Sequence, residues 1–253
     1  MRACVMALAG LLTLGATGQA LAGAFSVSPV RVFLEPRERA TALTLVNGAD
    51  AEVVLQADVM QWSQDGEGQD RLEPSDDLLI SPPILRIGPR SRQVVRLARL
   101  VAPHPQRQLT YRLLLREVPD TIRVQEPGTR LPITLVLSIP VFIGAPGAQP
   151  EVVCELQSSQ PPRVGCRNQG RAYAQIRELS LVQEGRALSR FEGALYLLPG
   201  SQRVLPLKAD ENSRPAQEVG VGPLEGAGAS TGPARIELRL DDAKPRSFPA
   251  TTR

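Results

Sequence analysis

Along most of this chain, apolar and polar residues alternate with a period of two, the spacing of side chains on one face of an extended strand. Ala42-Leu-Thr-Leu-Val46 alternates and stops at Asn47-Gly48, a turn dipeptide. Val53 to Trp62 forms a longer strand pattern, followed by the polar, glycine-containing loop Gln64 to Gln69. Leu78-Leu-Ile80 runs into Ser81-Pro82-Pro83, which punctuates strongly, and Val94 to Leu100 alternates arginine with apolar residues. Ala102 to Gln106 is a loop, Tyr111 to Val118 is a strand closed by Pro119, and Asp120 to Arg130 is a polar loop. Then comes Leu131-Pro-Ile-Thr-Leu-Val-Leu-Ser-Ile-Pro-Val-Phe-Ile143. Its residues Leu131, Ile133, Leu135, Leu137, Ile139, Val141 and Ile143 share one face. A strand so long and so apolar needs a cover, from this chain or from another.

These signals predict about seven strands before residue 146, with turns roughly every 8–12 residues, the spacing of an immunoglobulin-like sandwich. Gly144 to Pro150 is a small-residue hinge. Beyond it, Val152–Leu156, Arg163–Arg167, Gln175–Val182, Ala194–Leu198, Arg203–Leu207 and Ala234–Leu240 read as a second set of strands. Ala209 to Gly232 is glycine-rich and polar and reads as a long loop; Asp241 to Arg253 reads as a loose tail. No segment has a helical pattern. The expected fold is all-β: two immunoglobulin-like β-sandwich domains, residues 23–144 and 145–253, joined by a short hinge.

The N-terminus changes the compartment. Arg2, the apolar or small run Val5 to Ala16, and Ala20-Leu-Ala22 read as an export signal over residues 1–22, cleaved near Ala22. The other reading, a membrane anchor, is disfavoured because the apolar run is short of the roughly 20 residues a span needs. Cleavage removes Cys4 and leaves Cys154 and Cys166 of the three cysteines. In an exported chain their spacing suits a disulfide across two neighbouring antiparallel strands; two unrelated buried thiols is the alternative. The formal charge of +3 is small and dispersed, so nucleic acid is not an expected partner.

The search for chemistry is negative. His104, the single histidine, lies in Pro103-His-Pro105 with no nucleophile or carboxylate beside it in sequence, which argues against a metal site as well as catalysis. No phosphate-binding or nucleophile-elbow motif follows a strand. Asp76 and Asp77 are adjacent, so in a strand they point opposite ways and form no dyad. No enzyme activity, cofactor or small-molecule substrate is expected.

Several segments, in order, carry a family resemblance: Ser28-Pro-Val-Arg-Val32, Leu45-Val-Asn47, Leu78-Leu-Ile-Ser-Pro-Pro-Ile84, Gly88-Pro89, Gln93-Val-Val-Arg-Leu97, Tyr111-Arg-Leu-Leu-Leu-Arg-Glu-Val-Pro119, Asn168-Gln-Gly170 and Leu198-Pro-Gly-Ser201. Together they resemble the periplasmic pilus chaperones of the PapD-like family, along nearly the whole mature chain. The resemblance implies that the last strand of the first domain donates apolar side chains to pilus or fimbrial subunits, immunoglobulin-like domains missing a strand. The donors would be Leu131, Ile133, Leu135, Leu137 and Ile139. It also implies delivery to an outer-membrane usher, release by strand exchange without ATP, and a periplasmic location. An unoccupied donor edge is open to self-capping as a dimer.

Members of that family clamp the subunit's terminal carboxylate between a first-strand arginine, here Arg31, and a lysine on the donor strand. Pro140 occupies the lysine position, and proline offers neither charge nor N–H. In this the chain resembles the archaic branch of chaperone–usher systems, and Arg112 and Arg116 are the candidate replacements. Arg116 with Glu117 also resembles a structural charged pair of the family. Three competing readings are weaker. A structural pilus subunit or adhesin would carry an N-terminal donor extension, but Gly23 to Val32 is short. An extracellular β-sandwich that binds carbohydrate usually needs exposed aromatics, and Trp62 is the only tryptophan. A hydrolase has no catalytic set.

Overall fold

The computed structural model describes residues 25–118, 134–210 and 233–250. Every regular element in them is a β-strand. The first unit contains β1 (Phe25–Ser28), β2 (Val32–Leu34), β3 (Ala40–Asn47), β4 (Val53–Gln64), β5 (Asp70–Pro74), β6 (Leu78–Ser81), β7 (Ile84–Ile87), β8 (Arg92–Arg99), β9 (Leu109–Glu117) and β10 (Val136–Ile143). Its two sheets run β1-β3-β8-β6 and β2-β10-β9-β4-β5, with β7 also on β4.

These ten strands exceed the expected seven or so because proline divides two of them and β5 is an additional strand that the pattern did not show. At Ser28-Pro29 the chain leaves the first sheet, where Ser28 lies opposite Thr44, and enters the second, where Val32 runs parallel to Val141. The Ser81-Pro82-Pro83 segment cannot continue a ladder, because proline has no N–H to give. Leu78–Ser81 therefore pairs with β8 in one sheet and Ile84–Ile87 with β4 in the other.

Between the two sheets lie Leu43, Leu45, Leu55, Leu85, Val95, Leu97, Leu113, Leu115, Val141 and Ile143, all essentially buried. Each such side chain contributes roughly 1.5–3 kcal/mol relative to exposure. The buried Asn47 closes the corner: its amide donates to the carbonyls of Ala51, Ile87 and Gly88 and accepts from the Ala49 N–H.

The second unit contains β11 (Val152–Ser159), β12 (Pro162–Asn168), β13 (Ala174–Gln183), β14 (Arg186–Phe191), β15 (Leu195–Leu197), β16 (Gln202–Pro206), β17 (Lys208–Ala209), β18 (Arg235–Leu240) and β19 (Pro245–Pro249). The sheets run β11-β12-β16 and β17-β14-β13-β18-β19, with β15 on β13. Cys154 lies opposite Cys166 in the β11–β12 ladder and the two are disulfide-bonded, with Cα atoms 4.1 Å apart. Asn168 repeats the role of Asn47, accepting from the Glu151 and Gly170 N–H groups and donating to the Ala172 and Leu197 carbonyls.

One expectation changes here. The tail from Asp241 is not loose: β19 completes the sheet on β18, with Phe248 opposite Ile236 and packed against the core. Prolines bracket this strand, but an edge position tolerates a residue with no N–H to donate. The small-residue segment after Gly144 is tied to the second unit: the Gln149 carbonyl accepts from both the Arg171 and Ala172 N–H groups. Gly170 permits that approach, since a Cβ there would lie 2.3 Å from the Glu151 nitrogen. Of the expected loop Ala209 to Gly232, residues 211–232 lie outside the described residues.

Candidate functional site

β10 is bordered unevenly. It pairs with β9 along its whole length, from Val136 opposite Arg116 to Ile143 opposite Leu109, but β2 covers its other edge only at Val141 to Ile143. From Val136 to Pro140 that second edge has no strand partner among the described residues. Leu135 extends the ladder by one step: its carbonyl accepts from Glu117 N–H, and its own N–H donates to Glu117 Oε2 at 3.1 Å.

The apolar face divides in the same way. Ile139, Val141 and Ile143 are buried in the unit's own core, and Leu137 is partly buried against it. Ile139, 3% exposed, is therefore corrected from a donor residue to a core residue. Its side chain fills the space between the two sheets and cannot fill another domain's groove at the same time. Leu131 and Ile133 lie outside the described residues.

The opposite face of this sheet meets the second unit. Phe142, Trp62 and Leu198 are buried together, with Tyr173 and Tyr196 packed against them. Phe142 stacks on Tyr173 with centroids 4.0 Å apart, and Trp62 meets Tyr196 edge-on at 5.4 Å. Phe33 of β2 stacks on Phe142 at 5.4 Å.

Two of the three candidate arginines border this cluster. Arg112, directly opposite Pro140, lays its guanidinium 3.6 Å over the Trp62 ring, 5.5 Å from that of Tyr196 and 3.7 Å from Asp70. Burial pushes its pKa down and Asp70 offsets this in part. An arginine keeps its charge under such a shift.

Arg31 is tied to the second unit. Its Nη1 donates to the Tyr173 hydroxyl at 2.7 Å, to Asp241 Oδ2 at 2.7 Å and to Gln175 Oε1 at 3.2 Å. Burial acts to lower its pKa, but Tyr173 and the Asp241 carboxylate outweigh burial and hold it raised. Tyr173 is raised too, by burial and then by Asp241, to which its hydroxyl donates at 2.9 Å. Because Nη1 makes all three contacts, Nη2 and Nε have no hydrogen-bond partner among the described residues. With the Arg31 side chain 24% exposed, that fork is open to an anion.

Arg116 is placed differently. It pairs with Asp58 across β4 and β9, four residues along β9 from Arg112. The structure thus groups Arg31 with Arg112 and sets Arg116 apart. His104 caps a turn: its Nδ1 accepts from the Gln106 and Arg107 N–H groups, each at 3.1 Å.

Sequence reasoning missed Asp241, Tyr173, Tyr196 and Phe142. The signal for Phe142 was available. It is out of phase with the alternating core residues, so a large apolar side chain on the other face of the strand required a second cover. Asp241 and Tyr173 had no such signal, since only the docking of the second unit brings them to Arg31.

Residues 24–148 match the family model described as the pili and flagellar-assembly chaperone, PapD N-terminal domain. The N-terminal domain of this chain belongs to that PapD-like chaperone family. The whole described fold is similar to a chain of the CsuC–CsuE chaperone–tip adhesion subunit pre-assembly complex from the archaic chaperone-usher Csu pili of Acinetobacter baumannii. That match has a TM-score of 0.62 at 20% identity and covers 90% of this chain and 99% of that one. The CupB2 chaperone of Pseudomonas aeruginosa matches with a TM-score of 0.56 at 16% identity, covering 90% of this chain and 100% of that one. A chain of the SafA pilin–SafB chaperone complex of Salmonella enterica matches with a TM-score of 0.56 at 13% identity, covering 90% and 96%. No curated protein sequence matches the chain.

Proposed function

We propose that this chain is a periplasmic chaperone of the archaic chaperone–usher type. It holds pilus subunits by donating the apolar segment from Leu131 onward and passes them to an outer-membrane usher. The observation that carries the reading is the half-covered strand β10. One edge from Val136 to Pro140 has no strand partner among the described residues, and Arg31 and Arg112 stand at the aromatic cluster beside its far end. A subunit lacking a strand exposes both an apolar groove and unpaired backbone groups, and an inserted strand satisfies both. Leu131, Ile133, Leu135 and Leu137 supply the apolar part, each worth roughly 1.5–3 kcal/mol when buried, before ordering costs. Arg31 takes the subunit carboxylate on its open fork. Arg112, opposite Pro140, supplies the second positive charge that a lysine at 140 would have brought.

The test is co-expression in the periplasm with pilus subunits of the same genome, followed by affinity purification of the chaperone. The wild type carries subunit with it. The double variant Ile133→Asp, Leu135→Asp stays folded and carries none. Arg31→Ala and Arg112→Ala each reduce the yield, and together they abolish it. Undiminished capture by the double aspartate variant removes this strand from the site.

A further inference from the structure

We propose that Gln64 and Gln108 are positioning residues: two neutral clasps that lock the second domain onto the first and so set the spacing of Arg31 and Arg112. The inference rests on the reading of those arginines as the carboxylate anchor. Gln64, the last residue of β4, uses both ends of its amide. Its Oε1 accepts from the Leu198 N–H at 3.0 Å, and its Nε2 donates to the Tyr196 carbonyl at 2.9 Å. Gln108, the residue before β9, accepts the Tyr173 N–H on its Oε1 at 3.0 Å, while its own backbone N–H donates to the Arg171 carbonyl at 2.9 Å.

The two clasps form a matched pair. In the β4–β9 ladder Gln61 lies opposite Tyr111, and three further steps of that register set Gln64 opposite Gln108. On the other side, Ala174 of β13 lies opposite Leu197 of β15, so the next step sets Tyr173 opposite Leu198. Two adjacent strand ends of one domain thus grip two adjacent strand ends of the other, by backbone groups that cannot move without moving the strands.

Each gripped strand carries one tyrosine of the cleft, and each tyrosine touches one arginine. Gln108 fixes Tyr173, whose hydroxyl accepts from Arg31. Gln64 fixes Tyr196, whose ring lies 5.5 Å from the Arg112 guanidinium. The aromatic stack between the domains is apolar and non-directional, so it permits sliding; hydrogen bonds with defined donors and acceptors do not. The loop after Gln64 reinforces the lock. Gly68 has φ +78 and sits so close that a Cβ would be 2.4 Å from the Gln202 carbonyl oxygen. Both clasps are uncharged, so salt does not screen them as it screens the Arg31–Asp241 pair.

The test uses the full chain and its single tryptophan, Trp62, 1% exposed within the interdomain cluster. Four variants are compared with wild type by Trp62 emission and acrylamide quenching, by small-angle X-ray scattering, and by capture of a co-expressed pilus subunit. Gln64→Ala and Gln108→Ala each shift Trp62 emission to the red, widen the scattering envelope, and weaken capture about tenfold, the effect of one or two lost interdomain hydrogen bonds. The conservative variants separate positioning from bulk. Gln108→Glu keeps an acceptor for the Tyr173 N–H and restores all three readouts. Gln64→Glu cannot donate to the Tyr196 carbonyl, places a second carboxylate beside Asp70, and behaves like the alanine variant. Wild-type emission, scattering and capture in both alanine variants overturns the proposal, as does a Gln108→Glu variant no better than Gln108→Ala. If the wild type captures no subunit, the chaperone reading fails while emission and scattering still decide the clasps.

Discussion

Val141 and Ile143 have β9 on one side, β2 on the other and the sandwich core beneath them; Leu137, on the same face, has β9 alone and is only partly buried. In sequence the two stretches are one continuous alternation of branched apolar residues. Their situations differ because β2 is only three residues long and reaches no further back than Val141. The comparison separates two quantities that a hydrophobic pattern merges, how much apolar surface a strand offers and how much of it the strand's own domain can cover. A short neighbouring strand decides the second, and that shortness traces to Pro29, where the chain changes sheets before β2 begins.

The largest effect tests the covered half. Val141→Asp places a carboxylate at a fully buried position with no partner, and should cost more than about 4 kcal/mol, enough to unfold the first domain. Leu135→Asp, at a half-buried position beyond the last regular strand residue, should cost about 1 kcal/mol or less. Urea unfolding of both variants measures the contrast. Equal losses would show that Leu135 belongs to the same core and would erase the division.

A finer cut falls between adjacent core-facing positions. Ile139→Ala removes a side chain that is 3% exposed and should lower stability by about 2–5 kcal/mol through lost transfer energy and a residual cavity. Leu137→Ala, only partly buried against the same core, should lower it by about 1 kcal/mol. For subunit capture per folded molecule the order reverses, with Leu137→Ala the more damaging. If Ile139→Ala is the milder variant in urea, the boundary lies one step further along the strand.

The strands of both domains were legible because alternation and turn dipeptides such as Asn47-Gly48 mark them. The Cys154–Cys166 pairing was legible because the intervening Pro161-Pro162 turn sets those two residues opposite each other. Three features were hidden for physical reasons. The last strand is only Pro245–Pro249, too short to show a period, and it is held by pairing with β18 and by Phe248. Ile139 carries the same residue type and phase as Ile133, so nothing local distinguishes the core residue from the proposed donor. The arginines are the third case. Arg31, Arg112 and Arg116 are equally basic in sequence, but Asp58 takes Arg116, while the docked second domain brings Tyr173 and Asp241 to Arg31 and Tyr196 to Arg112.

The smallest effect concerns the boundary itself. Glu117 Oε2 accepts the Leu135 N–H at 3.1 Å, and the Glu117 N–H donates to the Leu135 carbonyl. One residue of β9 thus holds both backbone groups of the residue where the two halves separate. In Glu117→Ala the backbone bond to the Leu135 carbonyl persists but the Leu135 N–H loses its acceptor. The expected loss of stability is about 0.5–1.5 kcal/mol, the net worth of one hydrogen bond. Amide exchange at Leu135 should accelerate while exchange at Ile139 and Val141 stays slow, because those two are buried in the core and do not depend on Glu117. Glu117→Gln keeps an oxygen in place and should restore protection at Leu135. If exchange at Ile139 rises together with Leu135, the two halves open as one unit, and β2 rather than Glu117 alone governs how far the strand peels away.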